Sequence, residues 1–474
     1  MRFASSLSTH PITAHATGEV IGQVIEQVGR YPDLAVLFVT RPHAGALDEA
    51  AEAVSRLLEP TLLIGCAAES VVGNQREIEQ APGVSLWAGL TGPIAPVRLW
   101  AEYEPSDAQQ PSDAQQPSGP QGPSDAQDAN RGRTDDDEPR GRELTPVIAG
   151  WPDEITFQPQ ALLLLADPFT FPVDLLLQGL AGDFPGLPVL GGMASAAQRP
   201  GGNRLVLNNS VFTDGAVGAL IGPGVSVSTV VSQGCRPIGR PLTVTRSEGN
   251  VIYQLGGQPA LHRLLQMAKD GMSERDVQLI NQGLHMGVVI DEHKVEFGRG
   301  DFLIRNVIGA DRSNGAIAIA EVVEVGTTVQ FHVRDAEAAD EELRALLTDR
   351  RADGVLLFTC NGRGSRLFDK PDHDAGVIGD LLGDPPVSGF FAAGELGPVG
   401  GRNFVHGFTA SMALFTDDSG TASLGEVVED VATAAISDPD RDPGREFDRE
   451  LVRELDREPE PGPERELDAQ NDPA

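Results

Sequence analysis

Lysine is nearly missing from this chain. Of 474 residues only Lys269, Lys294 and Lys370 are lysines, so the basic charge is carried almost entirely by arginine. With abundant Ala, Gly and Pro, that skew points to a GC-rich bacterial genome and says nothing of function. Cysteine is scarce too. Cys66, Cys235 and Cys360 lie far apart with no CxxC pair, which fits reduced intracellular thiols better than a disulfide framework. Aromatic residues make up 5%, too few for a stacking platform for nucleic acid. No apolar run reaches the roughly 18 residues a membrane span needs. The segment Met1–Pro11 has one Arg and no long apolar stretch, so no signal peptide is expected. Cytoplasmic location follows as the expectation. Net positive charge is absent: the formal charge is −34 and the pI about 4.5. Nucleic acid and anionic membrane surfaces repel such a chain, so neither is expected as a partner. P-loop, HExxH, GxSxG and dinucleotide-binding patterns are missing, and Asp372–His373–Asp374 offers too few ligands for a metal. No metal or cofactor is expected.

The acidity is uneven. Glu102–Leu144 holds eleven acids against four Arg, and Ser437–Ala474 holds fourteen against six. The first of these repeats Pro-Ser-Asp-Ala-Gln from Pro105 to Gln127 and has almost nothing to bury, so a disordered insertion over residues 102–145 is expected. The second is expected to be an acidic helical or disordered tail over 421–474.

Between these lies an internal repeat. Three times an apolar strand (Leu34–Val39, Ala161–Leu165, Val355–Phe358) is followed, through an amphipathic helix, by a second strand ending in a Gly-bearing turn. Those turns are Gly65–Cys66–Ala67, Gly191–Gly192–Met193 and Gly389–Phe390–Phe391. The connecting helices are expected at Asp48–Leu58, Val173–Leu180 and Val377–Leu382. Two copies carry a helix before the first strand, at Glu19–Val28 and Asp340–Asp349. From Val225 to Arg334 the signal changes to hairpins, around Ser247–Asn250 and around Asn314–Gly315, with one helix at Pro259–Lys269. The expected fold class is mixed α/β (α+β): pseudo-repeated strand-helix-strand units around β-sheets, plus an antiparallel β module.

Several ordered motifs carry a family resemblance. They include Leu62–Ala67, Pro188–Gly192, Gly234–Gly239, Phe302–Asn306, Val329–Ala336, Phe358–Gly364, Phe390–Glu395 and Asn403–Phe408. In this order they resemble the FIST domain family, N-terminal and C-terminal parts together. The resemblance implies a sensory domain that binds small ligands such as amino acids, often fused to signalling modules. It divides the chain into a first N-terminal repeat (1–101), the insertion, a second repeat (146–233), the FIST C-terminal domain (234–420) and the tail. No kinase, cyclase, receiver or F-box segment is recognised in this sequence, so output is expected through a protein partner in trans.

The site candidates cluster at strand ends. Asn361, Gly362, Arg363, Gly364 and Arg366 follow a buried strand, where Gly-rich backbone can converge N–H groups on an anion and Arg can grip a carboxylate; the alternative is a surface turn. Glu395 can receive an amino group, or is a loop acid, and Glu69 holds the equivalent place in the first copy. Arg305, Asn306 and Arg334 lie in strands, where an Arg needs a partner: a pocket ligand or a neighbouring acid. Gly65 and Gly191 complete the candidate set as strand-end turns. Cys360 is the best thiol nucleophile, though buried Cys is more often a small apolar residue. The sequence therefore points to a sensory protein for a small molecule, an amino acid or another small carboxylate. The alternatives are an interaction scaffold in a signalling pathway and, behind it, a thiol-dependent enzyme.

Overall fold

A computed structural model describes residues 2–105, 144–269 and 271–417. Most of the acidic insertion and the whole tail lie outside these residues, except that the strands flanking the insertion run into it. Ile94–Pro105 pairs with Leu144–Ala149, with Glu102 opposite Val147. The described residues contain seven α-helices: α1 (Thr13–Val28), α2 (Leu47–Leu57), α3 (Val173–Asp183), α4 (Ala260–Lys269), α5 (Glu274–Gln282), α6 (Ala336–Leu347) and α7 (His373–Leu382). Together with four sheets they make a mixed α/β fold.

Each repeat copy forms its own sheet. The two apolar strands of a copy run parallel: Leu34–Thr40 with Leu62–Ala68, Ala161–Ala166 with Val189–Met193, and Gly354–Cys360 with Val387–Ala392. Both faces of these strands are buried, which is why they read as unbroken apolar runs. Side chains alternate between two environments with the strand period. Leu34, Val36 and Phe38 enter a core shared by all three sheets, whereas Ala35, Leu37 and Val39 pack under α1 and α2. In the shared core Trp87 lies 5.0 Å from Phe415 and Phe38 5.0 Å from Phe390, ring centre to ring centre. These contacts join the first copy to the third. Helix α3 covers the second sheet, and α6 and α7 cover the third.

The copies are further bound by exchanged hairpins. Val71–Gly73, from the first copy, pairs with Val387–Ala392 of the third. The third copy's Glu395–Val399 pairs with Val189–Met193 of the second, and the second copy's Leu205–Leu207 pairs with Leu62–Ala68 of the first. The exchange is cyclic, so each sheet is completed by a neighbour.

The glycines at the second strands do not turn the chain, as the sequence had suggested; they lie inside the strands. A Cβ on Gly65, Gly191 or Gly389 would stand 2.2, 1.9 or 1.9 Å from the carbonyl oxygen of Leu37, Leu164 or Leu357 on the adjacent parallel strand. Gly191 also has φ +141°, which L side chains rarely adopt. Gly191→Ala is therefore expected to cost about 2–3 kcal/mol, read as a lowered denaturation midpoint. An unchanged midpoint would show that the strands are not held this close.

The antiparallel module is a six-stranded barrel. Its long strand Cys235–Glu248 pairs with Thr328–Arg334 at one end and Val251–Leu255 at the other, closing the ring through Leu284–Val289, Phe302–Asp311 and Ala316–Ile319. Register shifts between Ile238 and Leu242 mark where that strand bends from one partner to the other. Pro259 does not open α4 but ends a two-residue strand. The barrel is not placed between complete copies. Ser226–Gln233 pairs with Thr409–Thr416 of the third sheet, so the barrel interrupts the third copy after its first strand. The acidic insertion interrupts the second copy at the same point, where the first copy has α1.

Candidate functional site

Most of the predicted residues meet where the third sheet abuts the barrel. The strand Gly354–Cys360 ends there, α7 and the hairpin from Glu395 begin there, and the chain crosses at Gly234, whose N–H donates to the Phe408 carbonyl at 2.8 Å. Phe408 itself has φ +64°, a strained conformation for an aromatic residue.

Arg363 is fully buried, and its guanidinium is gripped by Asp374 at the start of α7. Its Nε and Nη2 donate to the two carboxylate oxygens at 2.7 Å each. Burial alone would raise the Asp374 carboxyl, but Arg363 and His373 hold it well below the usual range. Thr359 also donates to Asp374 at 2.8 Å, and His373 bridges Asp374 to Asp340 of α6. The fork expected to meet an incoming carboxylate thus already holds one of the chain's own. Among the described residues only Nη1 of Arg363 is left without a partner.

The anion nest is occupied in the same way. Gly364 has φ +57°, and the next residue presents its N–H to Glu79 at 2.8 Å while the Ser365 hydroxyl donates to the same carboxylate at 2.7 Å. Arg366 donates to Glu69 at 2.5 Å and to the Asn361 carbonyl at 2.8 Å. Glu69 therefore pairs with an arginine of another copy rather than repeating the role of Glu395.

What is free lies deeper. Glu395 is fully buried; one carboxylate oxygen accepts from the Thr409 N–H at 3.1 Å and hydroxyl at 2.9 Å, and the other, Oε1, has no partner. Burial raises its carboxyl to about 8, although Thr409 and the neighbouring Cys360 thiol act against the rise, so it is protonated at neutral pH. Among the described residues Arg334 pairs with no acid. It donates to the Gly362 carbonyl and lies over the Phe408 ring at 5.4 Å, leaving Nε unpaired. His285 packs on the same ring at 4.4 Å with Asn306 beside it, and neither of its nitrogens has a partner in hydrogen-bonding geometry among the described residues. Burial, then Arg334, lower it to about 4, so the ring is neutral. Asn361 completes the group with an unpartnered Oδ1. Burial pushes the thiols of Cys235 and Cys360 up to about 12, which leaves neither activated as a nucleophile.

Four further candidates lie outside this group of unpartnered side chains. Arg305 pairs with Glu321 and donates to the Val405 carbonyl at 3.2 Å, and Asn306 is exposed beside His285. Gly65 and Gly191 are strand-interior positions whose lack of a side chain is required by the neighbouring carbonyl. Sequence reasoning missed His285, Thr409 and Glu79, none of which stands in a recognisable spacing. Asp374 was noticed only as a poor metal ligand.

The FIST N domain matches residues 33–258 and the FIST C domain residues 260–398, together most of the chain. The chain belongs to the FIST family. That family is implicated in signal sensing. An uncharacterized protein of Mycobacterium tuberculosis is 43% identical over 424 residues, spanning 88% of this chain and all of that protein. One from Mycobacterium bovis is 41% identical over 426 residues with the same coverage. The border between the two FIST matches falls inside the barrel, and the C-terminal match ends within the exchanged hairpin. In this FIST protein the two parts thus share structural elements. The residues with unpartnered atoms, His285, Arg334, Asn361, Arg363 and Glu395, all lie in the second match, and Gly234 and Cys235 of the first lie beside them. Among the described residues no helix is long and apolar enough to cross a membrane, and no group of three or more His, Cys, Asp or Glu is placed to hold a metal.

Proposed function

We propose that this FIST protein is an intracellular sensor whose cluster of Arg334, Asn361, Arg363 and Glu395 binds a small carboxylate-bearing molecule, an amino acid being the first candidate. One observation carries the reading. Of eleven buried side-chain nitrogen and oxygen atoms without hydrogen-bond partners among the described residues, six belong to His285, Arg334, Asn361, Arg363 and Glu395. Each such atom costs about 1–3 kcal/mol when left unsatisfied, so their concentration in one place supports a site that a ligand or water completes. The chemistry is two-sided. Arg334 Nε and Arg363 Nη1 are donors for a carboxylate, while Asn361 Oδ1 and Glu395 Oε1 are acceptors for an ammonium group, next to which Glu395 would ionise. A ligand here touches barrel and repeat sheet together and so biases their packing. Output passes, on this reading, through a protein partner in trans.

Thermal denaturation in the presence of single amino acids and small carboxylates tests the proposal. A ligand at 100 times its Kd is expected to add about 2.7 kcal/mol of stability, and Arg334→Met is expected to remove that gain while the variant stays folded. No stabilisation by any of them, or a gain that survives Arg334→Met, would sink the reading.

A further inference from the structure

A second set of features lies on the outer side of the exchanged hairpin. There α3, the barrel strands Leu284–Val289 and Phe302–Asp311, and the hairpin strand Arg402–His406 enclose a cleft of about 680 Å³. That volume is within the ordinary range for small-molecule sites, and the cleft lies between the second sheet's helix and the barrel. Its walls have a definite chemistry. Leu177, Phe184 and Leu303 supply apolar surface. Arg305 and Glu321 neutralise each other on one side, and Arg305 is further fixed by its bond to the Val405 carbonyl. Arg402 is different. Its guanidinium lies over the Phe404 ring at 5.2 Å, makes no ion pair among the described residues, and borders both this cleft and an adjoining cavity of about 280 Å³.

We propose that this cleft is a second ligand site, distinct from the buried cluster, and that it takes a small monocarboxylate with an apolar, flat body. The stacked guanidinium is a planar fork already oriented by an aromatic face, the arrangement suited to a carboxylate. One free guanidinium matches one anionic group. Asp174 on the wall, in a chain of net charge −34, repels dianions and polyphosphates. Glu321 is committed to Arg305, so Asp174 of α3 is the acid on these walls without an ion pair among the described residues. The body of the ligand then covers Leu177, Phe184 and Leu303, which gains most from an aromatic ring. Because the cleft is walled by the repeat sheet's helix, the barrel and the hairpin that begins at Glu395, a molecule held there contacts the elements that also build the cluster.

Calorimetric titration of the full chain with phenylacetate tests this, with phenylacetamide as the uncharged counterpart. Phenylacetate is expected to bind, phenylacetamide at least about fivefold more weakly, and Arg402→Gln to weaken phenylacetate by a similar factor. Arg402 is exposed, so the variant is expected to fold as the parent does. Arg334→Met, in the buried cluster, is expected to leave phenylacetate binding unchanged. The proposal is overturned if phenylacetate gives no binding heat, if the amide binds equally well, if Arg402→Gln has no effect, or if Arg334→Met abolishes the binding.

Discussion

An Arg363→Met variant is expected to lose about 3–5 kcal/mol of folding stability, because it strands a buried carboxylate. Asp374 is 1% exposed and has both oxygens committed to the guanidinium, so removing Arg363 leaves a charge that only Thr359 and His373 can address. The carboxyl would then be pushed up by burial and folding would be linked to its protonation. The double variant Arg363→Met, Asp374→Leu should recover most of the loss, since replacing a whole buried pair by apolar groups of similar size is often close to neutral. Urea denaturation of both variants gives the comparison. If the single variant loses less than about 1 kcal/mol, the site is wet and the pair does not hold the third sheet to α7. The same pair bears on function, for it orients the one nitrogen of Arg363 that is not used. Loss of fold and loss of ligand response are separable, because Arg334 has no such structural partner.

Much of the fold is legible in the sequence because its signals are local. The strands Leu34–Thr40, Ala161–Ala166 and Gly354–Cys360 stand out as apolar runs, and α2, α3 and α6 as periodic stripes. The Asn-Gly hairpin and the barrel's other turns are equally local. Helix starts are less visible: α1 begins at Thr13 and α7 at His373, both earlier than their large apolar residues suggest, since the residues buried near these starts are small or polar, Ala16 and Thr17 in α1 and Asp374 and Ala375 in α7. The hairpin exchange could not be read. Val71–Gly73 and Leu205–Leu207 are three residues each, too short for a period, and their partners are hundreds of residues away or in another copy.

The site shows the same division. The glycines and arginines of Cys360–Arg366 announce an anion-binding turn, and the chemistry is there, but the anions are Glu69, Glu79 and Asp374 of the same chain. A sequence reveals that a turn can hold a carboxylate; it does not reveal whose. Glu79 reaches that turn only because the first copy's hairpin is lent to the third sheet. Conversely, the atoms left over on Arg334, Asn361 and Glu395 are known only after every other partner has been placed.

Stability is expected to pass through a maximum near pH 6.5 and to fall as pH rises towards 8, and Glu395 is the main reason. Burial raises its folded-state carboxyl to about 8 from an ordinary value of 4.5. Between those values the folded chain binds a proton that the unfolded chain has lost, so the contribution is full below about 4.5 and declines as pH rises through about 8. Glu77, buried beside Asp374, is raised to about 8 and has the same sign, and Glu342 is raised as well. Opposing them on the acid side are His285, His332 and His406, each lowered by burial to about 4 from 6.5. Their contribution is complete above 6.5 and disappears as pH falls through about 4. Three histidines outweigh two strongly shifted glutamates below pH 6.5; above it only the glutamates titrate. From pH 6.5 to 8 each strongly raised carboxyl is expected to cost roughly 2 kcal/mol. Glu395→Gln keeps the shape and a neutral group, so its denaturation midpoint should depend less on pH over that interval than the parent's. A parent whose stability is flat between pH 6.5 and 8.5 would mean that Glu395 is ionised at neutral pH, and that the acceptor offered to an ammonium group is a carboxylate from the outset.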